Sequence, residues 1–280
     1  MNNIIEYTNV KREDISYLLG FLWADGYVYH HNHKYCVGLG IQKLDFDPYI
    51  KPILKIGNWK INYHKQIKRK EQGRARWYSK ELTLYLESIG YRTKADSAEK
   101  VINTIPPHLK KYWFRGYFDG DGCVYVDKNN RDCGITICSC YEQDWQFMIN
   151  FCDELKIHYD IRKNENKSGK NSHFRIRKKR DMIKFLEFIY DGFDNDNIGF
   201  IRKFEKYKLV KKSYRPPSSK YRGLSLTPSK TWCVRMCQSG KNIIVGTFKT
   251  EEKAVDEYNK SVIQFVGPNG YLNIWSGKSY

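Results

Sequence analysis

Two aspartates stand where this chain could do chemistry. Asp25 lies in Leu-Leu-Gly-Phe-Leu-Trp-Ala-Asp-Gly-Tyr-Val-Tyr at residues 18–29, and Asp121 lies in Phe-Arg-Gly-Tyr-Phe-Asp-Gly-Asp-Gly-Cys-Val-Tyr at residues 114–125. The offset is 96 throughout, so Gly20 maps onto Gly116, Asp25 onto Asp121 and Gly26 onto Gly122. A single Asp-Gly is an ordinary turn dipeptide. Two of them at equal places in a repeat favour paired carboxylates, a hard oxygen-rich site suited to Mg2+. Such an ion beside a phosphate activates water and stabilises the leaving oxygen of an in-line displacement.

The elements that must position these aspartates follow from the glycines. Gly20 and Gly116 remove side chains from mid-helix at a cost of about 0.5–1 kcal/mol each. The cost is explained if two helices cross there backbone to backbone, through pseudo-twofold pairing of the two halves. Gly26 and Gly122 then end the helices, with Asp25 and Asp121 near the symmetry axis. Asp14 is a candidate cap for the first helix, and Pro106-Pro107 sits where the second would start.

The patterns downstream repeat as well. Val37, Leu39 and Ile41 alternate with smaller or polar residues, as do Ile135 and Ile137. Helix-like segments follow at Asp45–Ile56 and Tyr141–Leu155. Period-2 strands run through 60–68 and 74–77 in the first half, and through 157–162 and 173–177 in the second. Each half closes with a helix, near Glu81–Ile89 and Asp181–Tyr190. The order helix-strand-strand-helix-strand-strand-helix, twice, predicts an α+β fold of two pseudo-symmetric units.

One face of these strands is apolar and the other is basic. Lys60, Asn62, His64, Gln66, Lys68, Arg74 and Arg76 line it in the first half, and Arg162, His173, Arg175 and Arg177 in the second. A merely solvated face mixes acids with bases. A nucleic-acid surface is therefore favoured, since a two-stranded ribbon can enter the major groove of double-stranded DNA. Among 280 residues, 49 Lys and Arg against 31 acids leave a net charge of +18, which calls for an anionic partner. An acidic membrane surface is the rival, but no apolar run approaches the roughly 18 residues of a spanning helix. Residues 1–6 lack the basic-then-apolar order of a signal peptide, so an intracellular protein is expected. Eight cysteines include no C-x-x-C pair. They read as reduced small hydrophobes, and no zinc is expected.

Leu18–Gly26 and Phe114–Gly122 resemble the LAGLIDADG motif that names a family of homing endonucleases, and the resemblance covers about residues 14–192. It implies αββαββα units paired through their motif helices, acting as a monomer on a long asymmetric DNA site. It also implies a double-strand break with short 3′ overhangs and mobility of the encoding intron, intein or free-standing gene. Asp25 and Asp121 would be the metal carboxylates, with Mn2+ able to replace Mg2+. Position six of the motif is Trp23 in one half and Asp119 in the other, and Asp119 is the lesser candidate ligand. Gln42 and Ser139 match the family's water-ordering position, and Lys80 and Arg180 its basic position, with Lys179 close behind. An RNA maturase or a catalytically inactive DNA-binding regulator on the same scaffold are the alternatives. Retention of both aspartates argues against the second.

A basic helix is expected over 194–212, then a linker through Lys211–Lys220 with Pro216-Pro217. Strands around Tyr221–Leu226, Trp232–Gln238 and Ile243–Phe248 precede a helix from Glu251 to about Val266. The set Tyr221-Arg222-Gly223, Trp232, Gly246-Thr247-Phe248, Glu251, Ala254, Tyr258 and Leu272-Asn273 resembles the APETALA/ethylene-response-factor DNA-binding domain. That resemblance implies Arg222, Trp232 and Arg235 on DNA, with Ser225, Thr227 and Lys230 as lesser contacts. Leu224-Ser225-Leu226 replaces the usual arginines, and a core aromatic is the other reading of Trp232. The expected domains are 1–100, 101–212 and 213–280.

Overall fold

Gly20 and Gly116 sit where two helices cross. A Cβ on Gly20 would lie 1.9 Å from the Trp113 carbonyl oxygen, and one on Gly116 2.0 Å from that of Tyr17. The two backbones are thus in direct contact, and only glycine fits at either position. A computed structural model describes residues 4–65, 70–96, 98–128, 132–166, 169–238 and 240–276. They divide into two units, Met1–Tyr214 and Arg215–Tyr280.

The first unit runs α1 (Glu13–Asp25), β1 (Gly26–His31), β2 (Lys34–Gln42), β3 (Lys60–His64), β4 (Gln72–Trp77), α2 (Lys80–Ser88) and α3 (Glu99–Thr104). It continues with α4 (Lys110–Asp121), β5 (Gly122–Val126), β6 (Cys133–Cys140), α5 (Gln146–Glu154), β7 (Asp160–Asn166), β8 (Gly169–Ile176), α6 (Lys179–Tyr190) and α7 (Ile201–Ser213). The strands form two antiparallel sheets of matching order, β1-β2-β4-β3 and β5-β6-β8-β7. This is an α+β architecture. Register shows the repeat residue by residue. Leu39 lies between Gly26 and Ala75, as Ile137 lies between Gly122 and Phe174. One core joins both halves. Leu18, Leu22, Leu39 and Ala75 from the first, and Trp113, Phe118, Ile137 and Phe174 from the second, belong to the same cluster. Alternation sends the other face of each strand outward, so β4 reads half-buried, buried, half-buried from Gln72 to Trp77.

Several local expectations are corrected. Asp14 does not cap α1. Its carboxylate takes two bonds from Arg12, at 3.0 and 2.6 Å, and the cap position is Arg12 itself. The helix expected over Asp45–Ile56 breaks into a short α turn, a π-helix at Phe46–Ile50 and a 3-10 turn at Lys51–Ile53. Pro48 and Pro52 lack the amide hydrogens that a continuous α ladder needs. The second-half helix starts only at Gln146, where the Asp144 carboxylate accepts the Gln146 N–H at 2.8 Å. The basic helix starts at Ile201, because Gly199 takes φ +131°.

The second unit is a three-stranded antiparallel sheet, with the middle strand of the sequence at its centre, packed by one helix. Its elements are β9 (Leu224–Leu226), β10 (Trp232–Gln238), β11 (Lys241–Phe248) and α8 (Glu251–Phe265). Leu224, Val234, Met236, Ala254, Val255, Tyr258 and Val262 build its own core. The first strand is shorter than expected because Gly223 sits at φ +80°, and a Cβ there would strike Tyr258 and the Arg235 carbonyl oxygen. Asn273 clips the unit closed. It takes the Arg222 N–H at 2.8 Å and donates to the Arg222 carbonyl at 3.0 Å, while Asn259 bonds its backbone.

Candidate metal centre and nucleic-acid interface

α1 and α4 end side by side, and each ends on an aspartate. Gly120 gives the room: a Cβ on it would sit 2.3 Å from the Ala24 Cβ and 3.2 Å from Asp25 Oδ2. Asp25 therefore lies against the last turn of α4, next to Asp121. Two carboxylates at the negative ends of two helices are unfavourable unless cations answer them. Lys94 and Lys203 provide these. Lys94 Nζ donates to the carbonyls of Ala24 at 3.0 Å and Gly26 at 2.6 Å. Lys203 Nζ donates to those of Phe118 at 2.6 Å, Asp119 at 2.8 Å and Gly122 at 2.5 Å. Gly26 and Gly122 are repeat equivalents, so one lysine caps the end of each motif helix. Neither lysine was singled out from sequence.

The charges are mutually tuned. Packing against the helix pair desolvates and so raises Asp25, although its outer edge stays open to solvent, and Lys203 and Lys94 oppose the shift. Asp121 is pushed up to about 7, first by burial and then by Asp25, against both lysines. Burial brings Lys203 down to about 8, and it lowers Lys94 as well. The fold thus holds a proton on Asp121 that the unfolded chain, near 3.8, would release. By linkage, that stabilisation is fully present below the ordinary carboxylate pKa and is lost as pH rises through the folded one. The thermal midpoint of metal-free protein is expected to fall between about pH 4 and pH 7, and Asp121→Asn is expected to remove most of that fall. A melting series with no such difference between the two proteins would refute this.

The donor set fits a hard cation. Two carboxylates converge, and a divalent ion would relieve the burial and mutual repulsion that disfavour ionised Asp121. Among the described residues no group of three or more His, Cys, Asp or Glu could hold a metal. Such a site would fill its remaining positions with water or phosphate oxygens, as Mg2+ prefers. Asp119 is not part of it. Its carboxylate is buried and accepts bonds from the Tyr17 hydroxyl at 2.9 Å, the Phe200 N–H at 2.8 Å and the Tyr190 hydroxyl at 3.3 Å.

The other residues singled out from sequence divide. Gln42 ends β2, exposed. Ser139 shares the inward face of β6 with Ile135 and Ile137, and its hydroxyl donates to Gln143 Oε1 at 2.7 Å. Register makes Cys140, exposed at the end of β6 and paired with Asn171, the repeat equivalent of Gln42, which pairs with Gln72. Lys80 lies over the Tyr35 ring, 5.7 Å from its centroid, near the hairpin end of β2. Arg180 is exposed and bonds Asp181 at 3.3 Å. Neither contacts the carboxylate pair, and the cations found there are Lys94 and Lys203.

The open strand faces carry the expected polar side chains. Lys60, Asn62 and His64 are exposed on β3, while Gln66 and Lys68 lie outside the described residues. Arg74 donates to Gln72 Oε1 at 3.1 Å and Arg76 to the Tyr27 hydroxyl at 3.0 Å. In the second sheet His173 pairs with Asn171 at 2.9 Å, and Arg162, Arg175 and Arg177 surround Asp160. In the second unit Arg235 is exposed on β10, and Arg222 lies over the Tyr271 ring. Trp232 is corrected: it shares a strand face with Val234 and Met236 and packs against the core.

Residues 109–190 match the family model of the LAGLIDADG-like domain. No curated protein matches the chain. Among solved structures the chain is similar to "The homing endonuclease I-WcaI bound to its DNA recognition sequence", at 14% identity and TM-score 0.49, over 73% of this chain and 90% of that one. It is also similar to "The crystal structure of I-DmoI in complex with DNA and Ca", at 17% identity and TM-score 0.46, over 67% and 91%. A third is the I-LtrWI LAGLIDADG homing endonuclease bound to target DNA, at 13% identity and TM-score 0.44, over 74% and 90%. No helix among the described residues is long and apolar enough to cross a membrane.

Proposed function

We propose that this chain is a monomeric, site-specific double-strand DNA endonuclease of the homing type, using Mg2+, or Mn2+ in its place, at Asp25 and Asp121. One observation carries the reading. The repeat aspartates, one from each half, meet at the end of a glycine-crossed helix pair, and each half spreads a sheet with a polar, largely basic open face. The match of residues 109–190 to the LAGLIDADG-like domain supports it.

The chain's own groups then divide the work. Asp25 and Asp121 would hold the divalent ion, whose chemistry would be to activate a water and relieve charge on the leaving oxygen. Lys94 and Lys203 fix the helix ends and offset the negative charge that gathers there. Lys60, Asn62, His64, Arg74 and Arg76 engage one half of the target, and Arg162, His173, Arg175 and Arg177 the other. Gln42 orders water in the first half, where Cys140, a poorer hydrogen-bonding group, stands in the second. The two strands are then cut at unequal rates. The second unit adds a further DNA-binding surface through Arg222 and Arg235, raising effective concentration at the target.

The test is a duplex spanning the gene's own insertion point, with the gene deleted. Cutting at one locus in Mg2+, through a nicked intermediate and abolished by EDTA, is expected. Binding without cutting in either Mg2+ or Mn2+ would leave a regulator or an RNA maturase on this fold.

A further inference from the structure

The two sheets differ in the charge facing their central arginine. Arg76 and Arg175 occupy equivalent places on β4 and β8, opposite Gly38 and Thr136 on the inner strands. Across the outer strand, Arg76 faces Lys60, whereas Arg175 faces Asp160. The first-half arginine leans on a neutral phenol, the Tyr27 hydroxyl. The second-half arginine bonds the Asp160 carboxylate through Nε at 3.0 Å and through Nη2. Arg162 Nε lies 3.5 Å from the same carboxylate and Arg177 Nε 3.6 Å. Three guanidinium groups thus gather on one acid, and all three belong to the face proposed to meet DNA.

We infer that Asp160 is a positioning residue for sequence reading, holding Arg175, with Arg162 and Arg177 beside it, in a fixed fork that recognises a guanine-containing patch in one half-site. This rests on the DNA-endonuclease reading above. Asp160 is only partly covered, and a partly exposed ion pair contributes modestly to stability, while a carboxylate on a phosphate-facing surface opposes binding. Its return is geometric. Arginine reads guanine through two parallel hydrogen bonds, so its plane must be set. Arg175 commits Nε and one terminal nitrogen to Asp160, which fixes that plane, and its second terminal nitrogen makes no bond to the acid. Ordering before contact removes part of the entropy cost of binding, and an acid that penalises other arrangements sharpens selectivity.

The full chain, in EDTA so that DNA is bound and not cut, is offered a randomised duplex library, and the bound pools of wild type, Asp160→Asn and Asp160→Glu are sequenced. In Asp160→Asn, base discrimination is expected to fall roughly tenfold over one contiguous patch on one side of the site centre, the scale of one bidentate base contact. Affinity for random DNA stays level or tightens, and Asp160→Glu regains part of the preference. Unchanged preferences in Asp160→Asn would overturn the inference and leave Asp160 a surface ion pair. Loss spread equally over both half-sites would overturn it too, as general loosening. A wild-type pool without any sequence preference would instead overturn the proposed function, and this inference with it.

Discussion

If the proposed endonuclease reading holds, Asp25→Asn and Asp121→Asn are each expected to lower DNA cleavage by about 10³-fold or more, the scale of losing a positioned catalytic group, while DNA binding persists. Both side chains sit at helix ends and do not belong to the buried core, so removing one charge leaves the fold intact. Binding is expected to stay level or tighten, since each variant removes a negative charge from a surface that approaches phosphates. The two are not equivalent. Asp25 is among the causes that raise Asp121, so Asp25→Asn also returns Asp121 toward an ordinary carboxyl. Gel-shift and cleavage assays on the same duplex separate the outcomes. Wild-type cutting by either variant would remove the aspartate pair from the chemistry.

Gly20→Val and Gly116→Val are expected to give the largest losses of stability in the chain, beyond about 3 kcal/mol. The atoms a new Cβ would meet are backbone carbonyls of the facing helix, at 1.9 and 2.0 Å, and neither helix can retreat without opening the shared core. For a unit of this size that corresponds to a fall of roughly 6–12 °C in the thermal midpoint. Gly134→Ala is the control. A Cβ there meets only the Ile176 carbonyl oxygen at 3.9 Å, so its effect is expected within about 0.5 kcal/mol. Equal melting of Gly20→Val and Gly134→Ala would show that the helices are not in backbone contact.

The helix pair and its aspartates were legible because the repeat displays them twice. Lys94 and Lys203 were not. They lie 94 − 25 = 69 and 203 − 121 = 82 residues beyond the aspartates they accompany, and they come from a loop after α2 and from α7 respectively. Repeat spacing therefore could not reveal them, and only their common place after each closing helix hints at the pair. Ser139 was misplaced by parity. The connection between β5 and β6 is longer than the tight turn between β1 and β2, which moves the register offset from 96 at Gly26 to 98 at Leu39. Strand periodicity turns a one-residue error into the wrong face. Trp232 shows the same limit in the second unit, since sequence alone left open which face of β10 it occupied. The broken helix at 45–56 was readable in principle from Pro48 and Pro52, but its apolar spacing outweighed them.

The glycine crossing also separates two properties that would otherwise be confounded. In the endonuclease proposed above, the strands would carry what the protein reads, whereas the gap between the two carboxylates is set by how closely α1 and α4 approach. Exchange of strand residues would then change the address without changing the stagger of the cut. Overhang length would be a constant of the scaffold, inherited through Gly20 and Gly116 while the recognition surface drifts.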